Sequence, residues 1–526
     1  MSTGVNIRNI RSLARAEAFG NPRNVAFHLN THNPLRAVYA LRPAHTLLAP
    51  AFPELSATRQ PGLVNANWTD VCDHYSYTPL MGKGPKESVY RHVTFNFTPA
   101  LVRQLEFMDP DLLRRLKTAN DVSVNKQKGH GGAIASGFDH AILPLATESD
   151  RNIQIKWGIE HFKYTFGRAP EGFWAPEAAV NNDVLSALAG NGIKFTVLSP
   201  WQVGTINGEQ PKWTDTGCPI MDFGIPYKIE TAKGTLYVFV YNRYLSQELA
   251  FTGFLENMDG NALARKLNEH LNCNTAITCA SDTETFGLHK RNGAAALLDY
   301  LEKAPEYNHR PVNMAFLLAQ ALSSDTQIPP LTIKSPSSWS CEHGIERWRS
   351  NCGCPDSTDN PWRQAFREAL DLLAQRTDTI FTNVTNGLIQ DQESAKLRYI
   401  DVLLGKRSFQ DFIAEETGGK ELPEKSLNEL SAVFDGLVPR QGMFVSCGWF
   451  FHGMGLETGI CLGQAADLIT RVGSLAPGLE EEFRCVLGGI YNSAGFRERG
   501  QCETAADQYD LTKKEQGYWA EKISAL

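Results

Sequence analysis

The sequence predicts an α/β protein: a parallel β/α barrel followed by a mainly α-helical C-terminal domain. Three observations carry this. From residue 24 to about residue 320, short apolar, β-branched runs alternate with helical segments, the pattern of parallel strands joined by helices. Past Pro361 the strand signal stops. There Trp362, Phe366, Ala369, Leu370 and Leu373 share one helical face, as do Leu462, Ala465, Ala466, Ile469 and Val472. Finally, 526 residues exceed what one compact core usually holds, so a barrel with a second domain or appendage is expected.

Residues 24–28 read as the first inner strand, with a turn to Pro34 after it. The segment near 35–87 is irregular and proline-rich, an insertion running over the barrel mouth. Residues 92–97 form the next strand, and Pro99 opens a helix at its first turn. The run 129–132 (Gly-His-Gly-Gly) does not follow a strand, which argues against a dinucleotide fingerprint. An amphipathic helix over 153–166 is stopped by Gly167 and Pro170. Asn181, Asn182 and Asp183 cap a helix over 184–189, Gly190 and Gly192 close it, and 193–198 is a strand. Residues 236–241 and 277–281 are further strands. The expected division is a catalytic barrel over 1–330, a Ser/Cys/Gly-rich loop segment over 331–360 and a helical domain over 361–526.

Hydrophobic residues make up 42% and charged residues 21%, an ordinary globular balance. A net charge of -7 argues against nucleic acid or an anionic membrane surface as the main partner. No run reaches the roughly 18 apolar residues of a membrane span. The first 23 residues lack the apolar stretch of a secretory signal. Eleven scattered cysteines, an odd number, are expected to be reduced, so a cytoplasmic location is expected. The oligomeric state is not readable.

The stretch 281–290 (Ser-Asp-Thr-Glu-Thr-Phe-Gly-Leu-His-Lys) sits just past the strand 277–281. In α/β barrels that end of a strand faces the active-site mouth. Asp282, Glu284 and His289 are therefore site candidates, although an Asp at such a junction also serves as a helix cap. Glu177 holds the equivalent place after 172–176, about a hundred residues earlier. Two carboxylates on different barrel strands are what glycoside hydrolysis needs: one to attack the anomeric carbon, one to protonate the leaving oxygen. A chain with 58 acidic residues offers many such pairs. Trp174 is a candidate wall for a sugar. His28 and His140 are candidate pocket linings; His289 lines the pocket or is a solvated loop residue.

The block Cys341-x-His343 with Cys352-x-Cys354 has the residue types of a structural zinc site, in tighter spacing than usual. The alternative is a reduced, glycine-rich active-site loop whose Trp339 and His343 face the substrate. No cofactor is needed for two-carboxylate catalysis.

Several blocks resemble glycoside hydrolase family 57. Residues 172–177 (Gly-Phe-Trp-Ala-Pro-Glu) are similar to its nucleophile motif and 281–287 to its acid motif. Ser199-Pro200-Trp201-Gln202, the glycine loop at 129–135 and the run 139–145 match other parts of it. Two later blocks, 338–354 and 446–451, resemble an alpha-amylase/alpha-mannosidase-like bacterial subgroup. The resemblance implies an incomplete (β/α)7 barrel followed by a helical domain. It implies a retaining glycosidase or glucanotransferase of α-amylase or 4-α-glucanotransferase type. The substrate would be an oligo- or polysaccharide, α-1,4-glucan first. It implies Glu177 as nucleophile, Asp282 as acid/base, and Gln202 and Trp449 among the residues around the sugar. The chain departs from the pattern at Asn30, Asn33, Thr283, Leu288 and 451–453 (Phe-His-Gly). These departures motivate an alternative: a glucan-binding barrel that does not turn over. A metal-dependent deacetylase is a third option and needs an Asp and His cluster near the first strand.

Overall fold

The computed structural model describes residues 22–32, 77–83, 87–214, 219–271, 276–324, 327–354, 359–492 and 502–524. The insertion expected near 35–87, and the substitution at Asn33, fall largely outside these residues.

Among the described residues, a ring of seven parallel strands organises the N-terminal part. They are β1 Arg23–Thr31, β2 Thr94–Phe97, β3 Ala135–Ser136, β4 Phe173–Trp174, β5 Phe195–Leu198, β6 Gly234–Val240 and β7 Ala276–Asp282. β1 pairs in parallel with β7 and with β2, and at its start also with a further short parallel strand, His309–Pro311. A bridge from Phe95 to Ala133 leads on to β3, which pairs with β4. A bridge from Gly172 to Phe195 joins β4 to β5, and β5 pairs with β6. Beyond β6, the Asn242 amide donates to the Thr278 carbonyl of β7 at 2.8 Å. The order is therefore β7-β1-β2-β3-β4-β5-β6 and back to β7. Some joins are single bridges, and β3 and β4 are only two residues long.

Helices cover the outside, as parallel strands require. Glu148–Phe166 starts at Thr147, whose hydroxyl accepts from the Asp150 amide, and stops at left-handed Gly167. Asn182–Gly190 starts at Asn181, whose side chain accepts from the Val184 amide. Among the strands that were not legible, Pro226–Thr231 pairs antiparallel with β6 through a two-residue turn. The turn, Ala232-Lys233, carries none of the usual hairpin residues. In the glycine loop, a Cβ on Gly132 would lie 2.2 Å from the Val93 carbonyl oxygen, so that glycine permits close backbone packing.

Strand alternation sorts the barrel residues. Val25, Phe27 and Leu29 of β1, Phe95 and Phe97 of β2, and Ile277 and Cys279 of β7 join the core beneath the helices. Ala26, Trp174, Phe195, Val197, Phe239, Ala276 and Ala280 form a smaller cluster inside the ring. His28 and Asn30 share the Ala26 face, and Thr94 and Asn96 oppose them in register on β2. Asp282 is the register partner of Asn30 on β7. A polar ladder thus climbs the inner wall toward the C-terminal mouth.

The C-terminal part is helical, with long members Trp362–Thr385, Glu424–Asp435 and Leu456–Val472. Both helical faces read from the sequence are buried in one core, together with Phe138, Ile142, Ile153 and Trp157 from the barrel side. Arg440 pairs with Asp150 at 2.9 Å, and the Gln441 amide donates to the same carboxylate at 2.8 Å. Residues 331–354 do not stand apart. Leu331–Ile333 pairs with Val203–Ile206, and the residues that follow lie along the Glu177 turn. Among the described residues, no helix is long and apolar enough to cross a membrane.

Candidate active site

Glu177 follows β4 in a turn that ordinary side chains avoid. Its φ is 57° and that of Ala178 is 46°, both in the left-handed region. Such backbone costs roughly 1–2 kcal/mol per residue and survives only where neighbours hold it. Gln202 is one of them: its Nε2 donates to Ala178 O (2.8 Å) and Ser337 Oγ (3.2 Å), while its Oε1 accepts from the Ser199 amide (2.9 Å). The segment 337–340 is the other. Ser337 and Val180 exchange backbone hydrogen bonds of 2.9 and 3.0 Å, and the Trp339 amide donates to Glu177 O at 3.0 Å.

The same segment grips the Glu177 side chain. Trp339 Nε1 donates to Oε2 at 3.0 Å and Ser340 Oγ donates to it at 2.6 Å. Burial pushes the Glu177 pKa above its ordinary value, and the Asp282 charge pushes the same way; Ser340, Trp339 and the buried Arg347 pull it back. Trp339 keeps an accessible face and packs edge-on against Trp174 and Tyr241, with centroids at 4.9 and 6.3 Å.

Asp282 closes β7. β4 and β7 lie on opposite sides of the ring, three strands apart one way and four the other. Asp282 is exposed to water at the end of β7, with protein packed closely about it. Those surroundings push its carboxyl up to about 6, and the Asn30 amide, donating to Oδ1 at 2.7 Å, pulls it down. Asn30 in turn accepts from Asn96 Nδ2 at 3.1 Å. Burial raises both carboxyls, and on the Glu177 side two side-chain donors and a guanidinium offset part of that rise.

Two imidazoles stack after the ends of β1 and β3. His32 and His140 stack with centroids 3.9 Å apart. His140 Nδ1 lies 2.7 Å from Ser446 Oγ and His32 Nδ1 lies 3.1 Å from Thr98 Oγ1. Burial holds the His140 pKa near 3 and lowers that of His32. With Cys447 the two rings form a close group. It contains no Asp, so the cluster that a deacetylase would need is not found here among the described residues.

Several expected linings occupy other places. Trp174 has no exposed surface; it backs Trp339 instead of walling a sugar. His28 is equally buried, its ring 4.5 Å from that of Trp174, and burial lowers its pKa to about 3. Gln202 spends its side chain on backbone. Trp449 lies in the helical core, donating to Arg363 O at 3.1 Å and packing on Phe366. His343 turns to the cysteines: its Nδ1 is 3.4 Å from the sulfurs of Cys352 and Cys354. Glu284 is half-buried on the turn after Asp282, and His289 is exposed. Asn30 and Ser340 were not anticipated as partners of the two carboxyls. Asn30 was legible in principle: it lies two residues past His28, on the same strand face. Nothing in the sequence marks Ser340 beyond its place beside Trp339.

Comparison with known proteins agrees with this architecture. The model of glycosyl hydrolase family 57 matches residues 58–324, and a domain of unknown function (DUF3536) matches 359–489. "Alpha-amylase 1" of Dictyoglomus thermophilum is 26% identical over 127 residues, 23% of this chain; the match spans 17% of that relative's length. The solved exo-type maltose-forming amylase of Pyrococcus sp. ST04 superposes with a TM-score of 0.65 at 14% identity, covering 95% of this chain and 85% of that one. The branching enzyme of Pyrococcus horikoshii gives 0.49 at 16% identity, with 86% and 95% covered. At 14% identity the likeness to the maltose-forming amylase speaks for the fold alone. With the family model covering half of its length, the chain belongs to glycosyl hydrolase family 57.

Proposed function

We propose that this protein is a retaining glycosidase or glucanotransferase acting on α-glycosidic bonds of a glucan, α-1,4-linked in the first instance. Glu177 attacks the anomeric carbon while Asp282 gives its proton to the leaving oxygen; the glycosidic C–O bond breaks and a glycosyl ester forms on Glu177. Asp282, now ionised, takes a proton from water or from an acceptor hydroxyl, whose oxygen displaces Glu177. The arrangement of the two carboxyls supports this reading most. Two donors on Glu177 offset part of the rise that burial gives its pKa, and the surroundings of Asp282 raise its carboxyl to about 6, which favours its proton. The half-buried face of Trp339 suits stacking on a sugar ring. The Asn30 departure, one motive for a binding-only barrel, supplies the Asp282 hydrogen bond, which favours turnover. The maltose-forming amylase and the amylase relative point to α-glucans as the first substrates to try.

The test is product analysis over a panel of maltooligosaccharides, α-galactosides and α-mannosides, with Glu177→Gln as control. New chain lengths with the wild type and none with the variant support the proposal. Binding without new products, unchanged by Glu177→Gln, would favour the non-catalytic barrel.

A further inference from the structure

Beside the Glu177 turn lies a cluster that the proposed chemistry does not use. The sulfurs of Cys341, Cys352 and Cys354 and a ring nitrogen of His343 all lie within 4.8 Å of one another. Cys341 and Cys352 sulfurs are 3.7 Å apart, and His343 Nδ1 is 3.4 Å from both Cys352 and Cys354. A tetrahedral zinc, with Zn–S of about 2.3 Å and Zn–N of about 2.0–2.1 Å, separates its ligands by roughly 3.8 Å (S to S) and roughly 3.5 Å (S to N). The observed separations match both figures. They are far too long for a disulfide.

Hydrogen-bond donors also approach the sulfurs. Backbone amides of His343 and Arg347 point at the Cys341 sulfur, that of Cys354 at Cys352, and that of Glu342 at Cys354. Arg363 is fully buried behind the loop and donates to the carbonyls of Cys352 (2.8 Å) and Cys354 (3.3 Å). Three thiolates and one Zn²⁺ carry a net charge of −1, which a buried guanidinium balances.

We propose that Cys341, His343, Cys352 and Cys354 bind one structural zinc ion, which staples the loop carrying Trp339 and Ser340 onto Glu177. Cys341 directly follows Ser340, so fixing its sulfur fixes the two donors on the Glu177 carboxylate. All four coordination positions are filled by protein, the mark of a structural site rather than one that activates water. Binding converts three thiols to thiolates and releases their protons to solvent. This inference is independent of the reaction assigned above.

The full-length chain, purified without chelator, is assayed for metal by plasma mass spectrometry, and after chelation is titrated with Co²⁺. One zinc per chain is expected. The cobalt form should show thiolate-to-metal charge transfer and the strong visible bands of a tetrahedral site. Cys352→Ser should lose the metal, and the exposed Cys485→Ser should keep it. Should Cys352→Ser fail to fold, His343→Ala, an exposed side chain, should still weaken Co²⁺ binding at least tenfold and alter its spectrum. A wild type that takes up neither metal when both are supplied, or intact mass showing a Cys341–Cys352 disulfide in the native protein, would overturn the proposal.

Discussion

The Ser340 hydroxyl donates to Glu177 Oε2 at 2.6 Å, joining the loop after Leu331–Ile333 to the carboxylate at the end of β4. A hydrogen bond to a charged group is worth about 1.5–3 kcal/mol, and each 1.36 kcal/mol is tenfold in rate. Trp339 remains as a second donor, so Ser340→Ala should lower kcat/KM by about tenfold. The bond lowers the Glu177 pKa. Its loss raises that pKa, so the acidic limb of the pH–rate profile should move to higher pH. An unmoved limb would show that Ser340 does not act on the nucleophile.

The alkaline limb tests Asp282. An acid with a pKa of about 6 loses its proton above that pH, so kcat/KM should fall above about 6. The two carboxyls interact, so both limbs belong to the pair. Asn30 donates to Asp282 and holds its pKa down. Asn30→Ala should therefore move the alkaline limb upward while lowering the maximal rate. A shift in the opposite direction would contradict the assignment.

Left-handed backbone at Glu177 predicts a stability difference that is independent of catalysis. Both Glu177→Ala and Glu177→Gly remove the carboxylate, but only glycine is at ease at a φ of 57°. Glu177→Gly should be more stable than Glu177→Ala by about 1 kcal/mol in urea denaturation. Equal stabilities would mean that the turn is not strained in solution.

Gln202 predicts a structural phenotype. Gln202→Ala removes two donors and an acceptor from buried partners, each unsatisfied group costing about 1–3 kcal/mol. A loss of about 2 kcal/mol of stability is expected, with a fall in kcat as the Ala178 turn loosens. A lowered substrate affinity with unchanged stability would instead restore Gln202 as a sugar contact.

What the sequence made legible and what it did not follow physical lines. The strands β1 and β7 were legible because a short apolar, β-branched run is a local property. Glu177 and Asp282 stood out because each follows a strand. The partners of those carboxyls depend on register and loop docking: Asn30 meets Asp282 across two strands, and Ser340 reaches Glu177 from 163 positions away. Trp174 and His28 were placed one layer too near the cleft, because motif position alone cannot distinguish a residue lining a wall from one supporting it. The Cys341–Cys354 block left a zinc site and a reduced active-site loop both open, its spacing being tighter than usual. The loop fold, which draws His343 back to the sulfurs, is not a matter of spacing.

The central claim, that Glu177 carries the sugar during turnover, is tested most directly by trapping. The protein is incubated with a fluorinated glycosyl fluoride of the sugar it cleaves, digested, and mapped by mass spectrometry. The account predicts a glycosyl adduct on the Glu177 peptide, absent in Glu177→Gln. An adduct on another residue, or turnover that inverts the anomeric configuration and leaves no adduct, would contradict it.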